Sequence, residues 1–139
     1  MLGKHRGDLA TREYKVFLVA LVIMFLHLAE DAVVHKENGA SVATQVGATV
    51  LNLLLAAVGA ALYPLLWRGV RPLLVLAYGA LALVAGWRAH VTDVLNGDAA
   101  GGDYTGTIFA LAGLVLIGLA VKLGAESLRG RARSAAEQR

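Results

Sequence analysis

Residues 16–37 read VFLVALVIMFLHLAEDAVVHKE. Eleven apolar residues run without interruption to Leu26, and then His27, Glu30, Asp31, His35 and Glu37 arrive before the segment ends. A hydrocarbon core of about 30 Å takes about 20 mostly apolar residues to cross as a helix, so this segment reads as a spanning helix. His27 falls well inside such a span. An ionisable group at mid-bilayer costs at least about 2.5–3.5 kcal/mol, so a partner or a wet cavity is expected around it.

The rest of the chain has the same character. Of 139 residues, 58% are hydrophobic and 17% charged, and the mean hydropathy is +0.64. A soluble domain is nearer 45–50% apolar and about 25% charged. Four apolar stretches predict helices at about residues 14–35, 43–67, 72–92 and 104–123. The expected fold is therefore all-α: a polytopic membrane protein built as a four-transmembrane-helix bundle. Residues 1–13 form a short N-terminal segment and residues 124–139 a basic tail, able to continue the last helix or to fray. The first stretch follows basic residues, as a signal peptide would. Its apolar core exceeds the usual 7–15 residues and no small-x-small cleavage pattern follows, so it is expected to be retained.

Basic residues set the topology. Eleven of the thirteen lysines and arginines fall in the first fifteen residues, the turn at Arg68–Arg71, or the region from Lys122 onward. By the positive-inside rule both termini lie in the cytoplasm, the arrangement of an N-in/C-in inner-membrane protein. Formal charge is then +7 on the inner side and −4 on the outer. A pI near 9.5 is compatible with nucleic-acid binding, but the basic residues follow topology rather than one binding face, so no nucleic-acid partner is expected. The absence of cysteine excludes disulfides and thiolate metal sites. Pro72 suits the first turn of helix three, and Pro64 predicts a kink near the end of helix two.

Polar residues gather at the outer end of all four helices. His27, Asp31 and His35 are spaced i, i+4, i+8 and share one helix face, flanked by Glu30. Helix three supplies His90 and Asp93, three residues apart, with Arg88 beside them; the row behind His90 is Gly86, Ala82 and Gly79, a small-residue stripe suited to close packing. Helix two adds Gln45, Thr49 and Asn52. Helix four opens with Asp103, Tyr104, Thr105 and Thr107, Asp103 being placed as its N-cap. The inner halves are almost purely Leu, Val, Ala and Gly.

Imidazole nitrogen with carboxylate oxygen suits a divalent ion such as zinc, iron or manganese. The expected ligands are His27, Asp31, His35, His90 and Asp93. Glu30 is the candidate base, and Gln45, Thr49, Asn52 and Arg88 line the pocket. Bound metal would open the way to hydrolysis of a membrane-embedded substrate. Other readings use the same residues differently. One is a structural ion-pair network, with Arg88 reaching Glu30 or Asp31, in an accessory subunit of a larger membrane complex or a homo-oligomer. Another is a proton- or cation-coupled carrier acting as an oligomer. Haem would need two axial histidines at one depth, whereas counting residues sets His27 and His90 more than a turn apart.

Overall fold

A computed structural model of the chain describes residues 11–34 and 41–138. Among these residues the protein is all-helical. Four helices are long and apolar enough to cross a membrane: α1 (Arg12–Val33), α2 (Val42–Leu65), α3 (Arg71–Asn96) and α4 (Gly101–Glu137). The end of α1 and the start of α2 lie with the α3–α4 turn at one end of the bundle, the hairpin end. The α2–α3 turn and the start of α1 lie at the other, the terminal end, with the later part of α4.

Local chemistry sets the boundaries. Thr11 and Ser41 cap α1 and α2, their hydroxyls accepting the amide hydrogens of Tyr14 and Thr44. Pro72 lies in the first turn of α3. Gly97 ends α3 at φ +82°, a left-handed conformation that glycine adopts without Cβ strain. The last helix starts earlier than the sequence suggests, at Gly101, and its polar tail continues helical to Glu137. Residues 124–137 contain Ala, Arg, Glu and Leu, all good helix formers, which explains the continuation.

Pro64 illustrates how the terminal end is satisfied. Lacking an N–H, it cannot donate to the carbonyl four residues earlier. That carbonyl, Ala60 O, instead accepts the hydroxyl of Tyr14 from α1 at 2.9 Å. The helix ends one residue after the proline. The guanidinium of Arg71 donates to Leu66 O at 2.9 Å and Pro64 O at 3.4 Å and lies 5.2 Å over the Tyr63 ring. Arg71 is buried among these contacts. Tyr14 and Phe17 both stack on Tyr63, and Tyr78 meets Phe17 edge-on.

The tightest contact is between α3 and α4. Small residues on α3 (Gly79, Ala82, Gly86) face Ala110 and Gly113 of α4. A Cβ on Gly79 would stand 2.9 Å from Gly113 O, and one on Gly113 would stand 2.6 Å from the Leu83 amide nitrogen. The two backbones therefore touch. Helix α2 lies against α1, barely meets α3, and leaves Val50, Leu51 and Leu54 exposed. So much outward apolar surface exceeds what water-soluble monomers carry, which suggests a membrane protein.

Gly113→Ala should destabilise the fold by about 1–3 kcal/mol, because the added methyl meets rigid backbone. Gly118→Ala, with nothing within 4 Å of the new Cβ, should be neutral or stabilising by up to about 1 kcal/mol. Thermal unfolding of the two variants in detergent checks both.

Candidate metal centre

Three side chains from two helices converge at the hairpin end. His27 comes from the buried face of α1 and Asp31 from one turn further along it. His90 comes from α3, where the helix passes through a π-helical turn at Trp87–Val91. Such turns insert one residue into the helical register and recur at functional sites. His27 Nε2 stands 3.2 Å from His90 Nε2 and 3.3 Å from Asp31 Oδ2, and His90 Nε2 is 3.6 Å from the same carboxylate oxygen. One ligand atom from each residue thus forms a compact triangle.

The far nitrogens each meet an oxygen. Thr105 donates its hydroxyl hydrogen to Gly102 O at 2.9 Å. With that bond made, its oxygen can accept from His27 Nδ1, 3.2 Å away. Asp103 Oδ1 accepts from His90 Nδ1 at 3.0 Å. Donation through Nδ1 in both rings leaves lone pairs on the two Nε2 atoms, which face Asp31. Two lone pairs and a carboxylate facing one another repel unless a cation stands between them, either a proton or a metal.

The spacing matches a metal. Around a tetrahedral zinc with bonds of about 2.0–2.1 Å, neighbouring ligand atoms stand about 3.3–3.5 Å apart. Around an octahedral ion with bonds of about 2.1 Å the separation is about 3.0 Å. The observed triangle is nearer the first. Asp103–His90 is also the carboxylate–histidine arrangement that orients metal-binding imidazoles. Asp103 is anchored in turn, since its second oxygen accepts the Ala100 amide at 2.7 Å.

Burial grades across the site. His27 is 4% exposed and packs its ring against Phe109, whereas the Asp31 side chain is 34% exposed. The group is therefore reached from the hairpin end. On the other side, Phe17, Val75 and Leu116 are fully buried and Tyr63 almost so, an apolar plug toward the terminal end.

Other expected site residues lie elsewhere. Asp93 and Arg88 are exposed, and no ion pair joins Arg88 to Glu30 or Asp31 among the described residues. Glu30 is half-buried beside Asp31 and outside the triangle. Gln45, Thr49 and Asn52 are half-buried on α2; Thr49 donates to Gln45 O, and the side-chain nitrogen of Gln45 is buried without a hydrogen-bond partner. His35 lies outside the described residues. The depth offset expected between His27 and His90 is absent: their rings meet edge-to-face at 4.8 Å, which leaves no room for a porphyrin between them. Asp103 is the third residue of its helix rather than its cap.

Gly106 completes the site. A Cβ there would run into the His90 ring, so the imidazole occupies the space that a missing side chain leaves. Spacing in the sequence carried a signal for this: Asp103, Gly106, Ala110 and Gly113 form one helical row, facing the small-residue row already visible on α3. Asp103→Asn should lower divalent-metal affinity by about 10–100-fold with the fold retained. Gly106→Ala should lower it at least as far, by displacing the ring. Zinc titration of the metal-free variants, with circular dichroism as the folding control, measures both. In comparisons with family models, with curated proteins and with solved structures, nothing matches this chain.

Proposed function

We propose that this is an integral membrane protein of the cytoplasmic membrane, both termini cytoplasmic, that holds one divalent metal ion at the outer end of its bundle. His27, Asp31 and His90 are the ligands, and zinc is the first choice on spacing, before iron or manganese. The observation that carries the reading is the convergence of His27 Nε2, His90 Nε2 and Asp31 Oδ2 within 3.2–3.6 Å of one another, with each ring held through its other nitrogen by Thr105 or Asp103. Three protein ligands leave a tetrahedral ion one position for water or substrate, the pattern of catalytic rather than structural zinc. Glu30 adds a further carboxylate at this end for proton transfer, which would suit hydrolysis of a membrane-embedded substrate. The apolar plug behind the site gives a carrier no polar path and favours a fixed site.

A second reading draws on α2. Its exposed apolar length suits a neighbouring chain, as in an accessory subunit or a homo-oligomer. The histidines would then share a proton as a structural network.

Elemental analysis of detergent-purified protein separates the two. Near-stoichiometric zinc is expected after dialysis against the ion, with more than about 90% lost in His27→Ala and Asp31→Ala. Chelation should lower the unfolding temperature of the wild type and leave the variants unchanged, because an ion that binds only the folded state stabilises it by mass action. Acidification should release the metal, since protons compete for the same lone pairs. A metal-free wild type with equally stable variants would leave the proton-sharing network in its place.

A further inference from the structure

A cavity of about 760 Å³ opens at the terminal end, away from the histidines, between the α2–α3 turn and the tail of α4. Arg68, Arg71 and Arg131 line it together with Tyr63 and Trp67. Two acids, Glu13 and Glu126, also reach the wall, but both are drawn to Lys122, at 2.6 and 3.7 Å. The balance left facing the cavity is cationic.

Two of the arginines are positioned rather than loose. Arg71 is 7% exposed and is held by carbonyl oxygens and the Tyr63 ring, which sets a positive charge at the base. Arg131 reaches across from α4 to the α2–α3 turn, its Nη2 lying 2.9 Å from where a Gly69 Cβ would be. The level is also informative. The apolar run of α4 ends at Leu123, and the wall of the cavity begins there and continues along the polar tail. Helix α4 has 37 residues, about 55 Å at 1.5 Å per residue, against a hydrocarbon core of about 30 Å. With the bundle in a bilayer, the cavity stands at head-group depth beside an exposed tryptophan.

We propose that this cavity binds the phosphodiester head group of an anionic membrane phospholipid. Basic pockets between membrane helices on the cytoplasmic side take such head groups, and arginine's planar fork matches phosphate oxygens in pairs. The proposal rests on the membrane-spanning reading and is independent of the metal.

Native mass spectrometry of the full chain in nanodiscs containing equal phosphatidylglycerol and phosphatidylcholine tests it. One retained phosphatidylglycerol is expected, preferred at least about tenfold over phosphatidylcholine. Arg68→Gln/Arg131→Gln should weaken retention about thirtyfold, at about tenfold or less per arginine. Arg129→Gln/Arg133→Gln removes the same charge from exposed tail positions outside the cavity and should change it less than about threefold. Arg71 is left intact because its carbonyl contacts hold the turn. If the first pair unfolds, Arg68→Lys/Arg131→Lys keeps the charge, loses the fork, and should still weaken retention several-fold. Equal loss in both glutamine pairs, equal retention of phosphatidylcholine, or displacement of the lipid by millimolar inorganic phosphate would each overturn the proposal. Carbonate extraction from membranes reports insertion separately, so a failed lipid site is distinguishable from a chain that does not span.

Discussion

The contact of bare backbones where α3 passes α4 is the constraint on which the site depends. Gly79 and Gly113 let the helices approach until main chain meets main chain, and Gly86 and Gly106 extend that approach to the hairpin end. In a bilayer, lipid tails are as apolar as leucine, so close packing of this kind rather than oil-and-water sorting is what joins helices. Once α3 and α4 are locked at this spacing, His90 has one place to go. It fills the hollow over Gly106, and its outer nitrogen meets Asp103.

From that lock the polar chemistry follows in order. Asp103 is anchored by the Ala100 amide and Thr105 by the Gly102 carbonyl, and each then holds the Nδ1 side of its histidine. The orientation of both rings results from partners on another helix. Helix α1 contributes the third member of the triangle, Asp31, one turn from His27 on the same face, and the whole group sits above an aromatic and aliphatic core.

Much of this was legible in the sequence. Apolar runs and their lengths marked four helices, and the cost of stray charge in hydrocarbon directed attention to His27, Asp31 and His90, which do converge. Asp93 shows where periodicity stops being a guide. In a regular α-helix it would share a face with His90, three residues earlier, but the π-helical turn intervenes and shifts the register, and Asp93 ends exposed. Nothing in WRAHV announces that turn. Asp103 was visible as a helix-start residue, and its second role, as the partner of His90, depends on a tertiary contact that no local pattern encodes. The depth of His90 was misjudged for a related reason: counting residues along separate helices ignores how each is shifted along its axis.

Pro64 has a consequence for that shift. By depriving Ala60 of its donor, the proline creates a vacant acceptor that the Tyr14 hydroxyl alone is seen to answer. Sliding α1 by a single turn would strand that oxygen in a medium with nothing to offer it. The tyrosine thus acts as a depth stop for its helix, and thirteen residues further along the same rod, about 20 Å away, stands His27. A ring change at one face of the bundle would be felt as a height error at the other.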